Sequence, residues 1–408
     1  MGFWRTRDFN PYDAVLTETQ IEYIYGANAE AECGVYDATQ SPYRIVFHFA
    51  DAVFETVLEG DNAGDERAID GSVTGFTFYN QSGEVIMKAT EMNGDLAFFL
   101  RTIDKGDDWR GMDSLYAQPI VFVGTNNNGA DPGDWDGDNI QTGSHNDIVR
   151  AKAGDDFIQD NGGKDKYVGG DGWDTLSYET FQWSTINAFS GLRADLRKGY
   201  IDGPDGHRDT VVSIESVRGT QKRDVFIGNS DDNGFMGYAG KDVLKGGGGS
   251  DWASYRNDYR DGGDFGINVK LHKGWIRDGF GSKDKVKSIE NVVGTDLSDR
   301  FRDDAADNYF RGREGDDTFD FSAGDDIGEG GAGADTFIFR GGNFNDDVIK
   351  DFEDGIDMIQ IADLLDFSEL TISDDGDDKL IEWATSTIRL EGLADAAIDE
   401  NDFILPLI

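Results

Sequence analysis

The chain has 408 residues, with 81 Asp and Glu against 37 Lys and Arg, which gives a formal net charge of −44 at pH 7. This excess of negative charge repels nucleic acid phosphates and anionic membranes, so neither is expected as a partner. Hydrophobic residues still make up 38% of the sequence and aromatic residues 12%, too much for a disordered acidic tail. We expect a protein folded in two or three units, with metal cations as its natural counter-charge.

Two further absences narrow the class of protein. Cys33 is the only cysteine, which excludes an intramolecular disulfide and a four-cysteine zinc site. The N-terminal segment MGFWRTRDFNPYDAVL lacks the apolar run of a secretory signal peptide, and no stretch approaches 18 apolar residues. The sequence therefore predicts no membrane insertion, and any export is expected to use another address.

Residues 1–123 are predicted to form a β-rich N-terminal domain. The segments YRIVFHF (43–49) and VTGFTFY (73–79) alternate like half-buried strands, and a turn leads from the second into EVIMKAT. LAFFLRTI (96–103) is interpreted as a strand or a short helix. Residues 124–132 are predicted to be a linker, and the sequence does not identify what this domain recognises.

From about residue 133 the sequence repeats every nine residues. The repeated key position is Asp in twelve copies and Asn in two, and the residue five before it is Gly in nine of the fourteen. In most copies an apolar residue follows two positions after the key residue, as in GGDGWDTLS (169–177). The key residues fall into three arrays: Asp138, Asp147, Asp156, Asp165 and Asp174; Asp224, Asn233, Asp242 and Asp251; Asp299, Asn308, Asp317, Asp326 and Asp335.

This spacing predicts a coil. Six Gly-rich residues can form a turn and the last three a short strand, whose middle, apolar residue points inward. Two units complete one coil, so residues 18 apart are expected to stack. The pattern resembles the haemolysin-type calcium-binding nonapeptide GGxGxDxUx, known as the RTX repeat, over about 200 residues. The predicted fold is all-β: a parallel β-roll solenoid of these repeats between the N-terminal β-rich domain and a C-terminal β cap.

The residue types in the turns predict several calcium ions. Calcium takes six to eight oxygen ligands in flexible geometry, which carbonyls and carboxylates from neighbouring turns can supply, whereas magnesium demands a strict octahedron. Four histidines and one cysteine offer transition metals little. The predicted ligands are the fourteen key residues together with Gly154, Gly163, Gly169, Gly172, Gly237, Gly240, Gly246, Gly249, Gly312, Gly315, Gly324, Gly330 and Gly333.

Some copies depart from the pattern, so fewer than fourteen ions are expected. The first glycine is replaced by Thr142, Ala151, Asp160, Asp303 and Phe321 in five copies. Asn233 and Asn308 lack charge, and Gly328 interrupts the apolar row. The best sites are predicted around Asp156, Asp165, Asp174, Asp242, Asp251, Asp317, Asp326 and Asp335.

A longer repeat overlies the nonapeptides. Residues 191–220 align without a gap on residues 266–295, a shift of 75 that also places Asp224 on Asp299. Strand-like runs at 211–214 and 287–293 predict small sheets or side excursions between coils. The predicted segments are arrays at 133–177, 219–254 and 294–340, linker sheets at 178–218 and 255–293, and a cap with a secretion signal at 341–408.

The C-terminal segment predicts an end cap and export. Residues 333–364 resemble the cap that follows such arrays in the serralysin C-terminal domain, and a solenoid needs a cap to cover its last coil. ELTISDDGDDKLIEW and TSTIRLEGL read as strands, and the final ENDFILPLI resembles a type I secretion signal. These resemblances imply an extracellular or cell-surface protein with the type I secretion machinery as a partner.

No catalytic or cofactor-binding residue is predicted. The sequence contains no HExxH, no GxSxG and no phosphate loop, and its GxGxxG at Gly328, Gly330 and Gly333 lies inside the third array. The main interpretation is an exported, non-enzymatic calcium-binding protein whose folding is driven by extracellular calcium. Two alternatives stay open: a surface-layer, matrix or adhesin component assembled by calcium, and a polysaccharide-active enzyme with an unrecognised N-terminal site. A cell-surface or extracellular polysaccharide is a possible partner in either case.

Overall fold

The computed structural model describes residues 137–179, 190–341, 344–394 and 396–405, together with six strands before residue 124. The chain forms two compact units, Met1–Phe189 with Gly199–Ser216, and Ser190–Lys198 with Val217–Ile408. Within the described residues there is no α-helix, and no helix is long and apolar enough to cross a membrane. The predicted all-β class is confirmed.

The described strands are short, apart from three in the N-terminal segment. The first eleven are β1 (Ala14–Leu16), β2 (Gln20–Ile24), β3 (Arg44–Thr56), β4 (Glu66–Tyr79), β5 (Val85–Asp95), β6 (Val121–Val123), β7 (Asn139–Gln141), β8 (Ile148–Ala153), β9 (Phe157–Gln159), β10 (Lys166–Asp171) and β11 (Thr175–Ser177). The next twelve are β12 (Arg193–Asp195), β13 (Tyr200–Asp202), β14 (Arg208–Val212), β15 (Ser216–Arg218), β16 (Val225–Ile227), β17 (Gly234–Met236), β18 (Val243–Lys245), β19 (Trp252–Ser254), β20 (Asn268–Lys270), β21 (Trp275–Arg277), β22 (Lys283–Lys287) and β23 (Asn291–Val293). The last ten are β24 (Arg300–Arg302), β25 (Tyr309–Glu314), β26 (Thr318–Phe321), β27 (Ile327–Ala332), β28 (Thr336–Phe339), β29 (Asp346–Ile349), β30 (Met358–Ile361), β31 (Thr371–Asp375), β32 (Asp378–Trp383) and β33 (Ser386–Leu390). Short 3-10 turns lie at Leu196–Lys198, Leu271–Lys273, Phe367–Glu369 and Glu400–Asp402.

The N-terminal segment of the first unit is an antiparallel sheet. Strands β1 to β6 pair in chain order, and the segments predicted as strands from their alternation lie in β3, β4 and β5. Strand β6 then pairs in parallel with β8, so this sheet continues into the first repeat array. The side chain of His48, residue Cys33, the segment 96–103 and the linker 124–132 lie outside the described residues.

The first repeat array stacks with a period of 18 residues. Strands β7, β9 and β11 form one parallel ladder, in which Ile140 lies opposite Ile158. Strands β8, β10 and β14 form the other, in which Ile148 lies opposite Lys166. The inward residues Ile140, Ile158 and Tyr167 are fully buried. The predicted coil of two nonapeptides is therefore confirmed.

The second unit repeats this arrangement around an aromatic core. Strands β17, β19, β23, β25, β27 and β29 form one parallel ladder, and strands β24, β26, β28 and β30 form a second. The rings of Phe301, Phe319 and Phe337 stack with centroids 4.9 and 4.8 Å apart. At the interruption of the apolar row, a Cβ on Gly328 would lie 2.9 Å from Phe337 and 3.3 Å from Phe321. The space that Gly328 leaves is thus filled by the ring of Phe337 together with that of Phe321, which replaces a turn glycine.

The second linker completes a coil. Strand β22 pairs in parallel with β18, and β23 pairs in parallel with both β19 and β25. Only β20 and β21 form an antiparallel excursion, which returns to β22. The single strand expected at 287–293 is wrong, because Ser288, with φ of 48°, turns the chain between β22 and β23. The boundaries of the eight segments drawn from the sequence stay predictions.

The C-terminal strands close the second unit. Strand β29 pairs in parallel with β33, and β31, β32 and β33 form an antiparallel meander at this end. The two strands expected after residue 364 correspond to β31 with β32, and to β33. Residues 406–408, the end of the proposed secretion signal, lie outside the described residues.

Candidate metal centres

The key residues of successive coils are joined by a regular hydrogen-bond ladder. The backbone N–H of Asp299 donates to Oδ1 of Asp317 at 2.7 Å, and the N–H of Asp317 donates to Oδ1 of Asp335 at 2.8 Å. The same contact joins Asn308 to Asp326 at 2.8 Å. Oδ1 of each of these carboxylates therefore accepts a hydrogen bond from the preceding coil. The partner of Oδ2 differs from one residue to another.

In most key residues the second carboxylate oxygen belongs to one of two classes. In Asp147, Asp224 and Asp299 it accepts the backbone N–H of the residue four before, at 2.7 to 2.8 Å. In the other class Oδ2 is buried and has no hydrogen-bond partner, and we call these residues the open carboxylates. They are Asp156, Asp174, Asp242, Asp251, Asp317, Asp326, Asp335 and Asp347.

Carbonyl oxygens lie beside several open carboxylates. A Cβ added to Gly312 would collide with Oδ2 of Asp317 and lie 2.5 Å from the carbonyl oxygen of Gly330 in the next coil. A Cβ on Gly246 would likewise collide with Oδ2 of Asp251 and with the carbonyl oxygen of Ser288. Two hydrogen-bond acceptors thus meet at one point with no donor between them. The glycine five before the key residue leaves that point open.

Burial of these carboxylates disfavours their charge in the absence of a cation. Desolvation, followed by repulsion from the facing aspartates, raises the pKa of Asp317 to about 8 and that of Asp242 to about 10. Desolvation is also the main cause that raises the pKa of Asp326 to about 8. An unpaired buried carboxylate is normally neutralised by a proton, a cationic side chain or a metal ion.

These oxygen ligands fit calcium. Each such site combines a buried carboxylate oxygen that has no hydrogen-bond partner with a carbonyl oxygen from the next coil. The glycine beside them leaves a space that any Cβ would fill, so the site offers oxygen ligands and no hydrogen-bond donor. Hard cations with flexible oxygen coordination bind such sets, whereas zinc and copper favour nitrogen or sulfur ligands. Bound calcium would neutralise the charge of the open carboxylates, which protons neutralise when no cation is bound.

The structure also shows acidic residues in the hydrogen-bond ladder that lie outside the nine-residue period. In the first unit, the N–H groups of Asp165 and Asp174 donate to Asp209 at 2.8 Å and to Glu215 at 2.9 Å. In the second unit, Asp242 and Asp251 donate in the same way to Asp284 and Glu290, at 2.8 and 2.9 Å. Asp284 and Glu290 follow Asp209 and Glu215 by 75 residues, so the long repeat carried the signal that could have identified them.

The third array ends on a corresponding pair. Asp326 donates its N–H to Oδ1 of Asp347, and Asp335 donates to Oδ1 of Asp357, both at 2.9 Å. Oδ2 of Asp347 is open, and burial raises the pKa of this residue to about 9. Each array is thus followed by two carboxylates outside the nonapeptide pattern, which complete its last turns.

Asp165 differs from the other predicted best sites. The Tyr167 hydroxyl lies 2.7 Å from its Oδ2 and 2.5 Å from Oδ2 of Asp160, and carboxylate oxygens of Asp160, Asp165 and Asp209 lie within 4.8 Å of one another. Burial raises the pKa of Asp165 to about 7 and that of Asp209 to about 6. One hydroxyl has one proton to donate, so one of its two contacts needs a proton on a carboxyl group.

The remaining predicted residues lie in the same turns. The N–H of Asp138 donates to Asp156, and the N–H of Asn233 donates to Asp251 at 2.8 Å, so uncharged and terminal copies still hold the ladder. Eight predicted glycines lie two before a key residue and have positive φ: Gly154, Gly163, Gly172, Gly240, Gly249, Gly315, Gly324 and Gly333. The other five, Gly169, Gly237, Gly246, Gly312 and Gly330, lie five before it, against Oδ2 of the key carboxylate.

Comparison with known proteins agrees with this geometry. The family model described as the RTX calcium-binding nonapeptide repeat (4 copies) matches residues 141–176, 218–253 and 293–328. The chain therefore carries RTX calcium-binding repeats in each of its three arrays.

Two further comparisons add little. No curated protein matches the sequence. Among solved structures, the extracellular lipase LipA from Serratia marcescens aligns at 18% identity and a TM-score of 0.19, over 66% of this chain. The chain spans 38% of the length of that lipase, and the likeness carries no weight for the activity of this protein.

Proposed function

We propose that this is an exported calcium-binding protein whose β-roll folds when it meets extracellular calcium. The observation that carries the proposal is the set of open carboxylates, each buried with one oxygen that no donor reaches. Burying these charges without a cation opposes folding, and a metal site absent from the unfolded chain makes binding energy available for folding. Extracellular calcium modules have dissociation constants of about 10⁻⁴ to 10⁻³ M, above cytosolic calcium levels.

Mass action supports the size of the effect. A tenfold excess of free calcium over the dissociation constant contributes about 1.4 kcal/mol for each independent site. Several such sites reach the roughly 5 to 15 kcal/mol of net stability typical of a domain. Calcium binding is thus large enough to decide whether the arrays are folded.

The test is a calcium titration of the full chain followed by circular dichroism. Strand signal is expected to appear cooperatively with calcium and to be lost on adding a chelator. Magnesium at the same concentration is the control and is expected to restore little of it, because the carbonyl-rich turns do not enforce a small octahedron. A spectrum that is the same in chelator and in calcium would refute the proposal.

Export is the second part of the proposal. The repeats, together with the C-terminal segment that resembles a serralysin cap and a type I secretion signal, favour secretion to the extracellular space or the cell surface. A chain kept unfolded in a low-calcium compartment suits passage through a narrow export channel. Expression with and without the last 60 or so residues in a host carrying a type I system tests this, with accumulation in the medium expected only for the full chain.

A further inference from the structure

One open groove in the second unit is lined by cations although the chain as a whole is strongly acidic. It has a volume of about 490 Å³ and lies on the outer face of strands β12, β16, β18 and β22. No acidic residue lines it, and Val225 and Val243 form part of its floor. We call it the basic groove. Its charged lining residues are Arg193, Arg223, Lys245, Lys285 and Lys287.

Strand register places these cations side by side. Lys245 lies opposite Lys287, and Val243 lies opposite Lys285, across the parallel pair of β18 and β22. Neighbouring strands are about 4.8 Å apart, so the two lysines of the first pair are close neighbours, an arrangement that destabilises a sheet. In β22 the acidic Asp284 points inward between exposed Lys283 and Lys285. The one acid of this strand therefore faces the interior, where it accepts the N–H of Asp242, and its three lysines face solvent.

Among the described residues, Arg193 is the one cation of the basic groove that has a carboxylate within 4.0 Å. Arg193 lies 3.8 Å from Asp195. No carboxylate among the described residues lies within 4.0 Å of Arg223, Lys245, Lys285 or Lys287. Four unpaired cations thus lie together on one face of neighbouring strands, and this local positive charge favours an anionic ligand.

The duplicated segments show that the basic groove is not inherited from the 75-residue repeat. The residues 75 before Lys285 and Lys287 are Thr210 and Val212. The residue 75 after Lys245 is Asp320, which forms ion pairs with Arg302 and Arg340. The three lysines of the groove thus have no unpaired cationic counterpart at these positions 75 residues away.

We propose that the basic groove binds a linear anionic polysaccharide, with the sugar carboxylates on the lysines and the rings on the valine floor. A sugar ring has an apolar face and a charged edge, which suits an apolar floor with a cationic rim. Trp275 lies next to Lys285 in register and has Lys283 Nζ 4.1 Å from its ring centroid, so an amphipathic aromatic side chain borders the groove. Single-stranded nucleic acid would instead require a row of stacking aromatic residues.

The inference rests on the proposed calcium-bound fold. Strands β18 and β22, which carry the three lysines, belong to the ladder whose buried carboxylates include Asp242 and Asp284, so the lysines are held side by side only when the chain is folded. Binding of the polysaccharide is therefore expected to require calcium. It is also expected to weaken as salt is raised, because the contacts are ionic and exposed.

The experiment uses the full chain in calcium, with polygalacturonate as the probe and dextran as its neutral counterpart. The test variant combines Lys245→Gln, Lys285→Gln and Lys287→Gln. A matched control combines Lys166→Gln, Lys222→Gln and Lys273→Gln, exposed lysines outside the groove with the same change in net charge. Interferometry on immobilised polymer is expected to show roughly tenfold or greater weakening for the test variant and at most about twofold for the control.

Circular dichroism on the same samples separates the two proposals. If calcium folds the chain but the test variant binds polygalacturonate as tightly as wild type, the basic groove is refuted and the calcium fold stands. Equal binding of dextran, tighter binding of single-stranded DNA, or calcium-dependent dimerisation without polymer binding would each overturn the proposed ligand. If calcium does not fold the chain, the proposed function fails first.

Discussion

The substitution Asp317→Asn separates the two effects that an open carboxylate has on stability. The amide oxygen can still accept the N–H of Asp299, which now lies 2.7 Å from Oδ1 of Asp317. The charge and the open oxygen Oδ2 are lost. We expect the variant to be more stable than wild type in chelator and to gain less from calcium.

The pKa of Asp317 sets the size of the first effect. Burial raises it to about 8 from an ordinary value of 3.8, so at pH 7 the group is mostly protonated in the calcium-free fold. One pKa unit corresponds to about 1.4 kcal/mol, so burial of this group opposes folding by on the order of 4 kcal/mol at pH 7. An unpaired buried amide costs about 1 to 3 kcal/mol itself, which leaves a net gain of about 2 kcal/mol for the variant in chelator.

Calcium reverses the order at high concentration. Loss of one site removes about 1.4 kcal/mol at a tenfold excess of calcium over the dissociation constant and about 2.7 kcal/mol at a hundredfold excess. Plots of unfolding free energy against calcium concentration should therefore cross for wild type and variant. Circular dichroism across a calcium series measures the folded fraction for both plots, with urea denaturation added at the calcium concentrations that fold the chain.

The control is Asp316→Asn, which makes the same change of charge at an exposed neighbour whose Oδ1 accepts the N–H of Ala334 at 2.9 Å. It is expected to follow wild type within about 0.5 kcal/mol at every calcium concentration. If Asp317→Asn is destabilised in chelator and gains as much from calcium as wild type, Oδ2 of Asp317 is not a calcium ligand and the reasoning from open carboxylates is wrong.

Three further predictions follow from the same geometry. Gly246→Ala should raise the calcium concentration needed for folding by several-fold, because the added Cβ collides with Oδ2 of Asp251. Gly248→Ala is the control, since no atom lies closer than 3.8 Å to its Cβ, and it should leave that concentration unchanged. Calcium titration followed by circular dichroism compares the two variants. Glu290→Ala should weaken calcium-induced folding about as much as loss of a key aspartate. Glu290→Gln, which keeps an acceptor for the N–H of Asp251, should weaken it less. An unchanged midpoint of the calcium titration in both variants would exclude Glu290 from the site. In chelator, stability from groups such as Asp326, whose pKa is raised to about 8, is fully present below pH 4 and lost as pH rises through 8. The folded fraction in chelator, measured by circular dichroism, should therefore fall over this range, and a fraction that rises with pH would contradict the direction of the shift.

The nine-residue period was sufficient to predict the coil. Because side chains alternate along a strand, one apolar residue at a fixed position in each nonapeptide must point inward, as Phe301, Phe319 and Phe337 do. Two nonapeptides per coil follow from the need for two strands and two turns. The same period placed the key aspartates in rows, since a constant spacing along the chain becomes a constant position on the solenoid.

The period could not predict whether the second oxygen of each carboxylate accepts a hydrogen bond. Asp299 and Asp317 occupy the same position in the repeat, yet the N–H of Thr295 reaches Oδ2 of Asp299 and no donor reaches that of Asp317. The difference depends on whether the preceding turn bends its N–H toward the carboxylate, and this conformation is decided by packing between coils. The sequence therefore predicted the candidates without separating the open carboxylates from the capped ones.

The carboxylates that end each array were missed for a different reason. Glu290 follows Asp251 by 39 residues and Asp347 follows Asp326 by 21, so neither falls on a multiple of nine or eighteen. Insertions such as the β20–β21 hairpin change the spacing along the chain but leave the stacking of coils intact. Only pairing of the strands in three dimensions brings these acids to the row.

The most direct test of the central claim is a crystal structure of the chain grown in calcium, with anomalous diffraction recorded to locate the ions. Anomalous peaks are expected within coordination distance, about 2.3 to 2.6 Å, of Oδ2 of the open carboxylates Asp317, Asp326 and Asp335. No comparable peak is expected at Oδ2 of Asp299, which accepts the N–H of Thr295. Water or protein donors at the open carboxylates, with no anomalous peak beside them, would contradict the account.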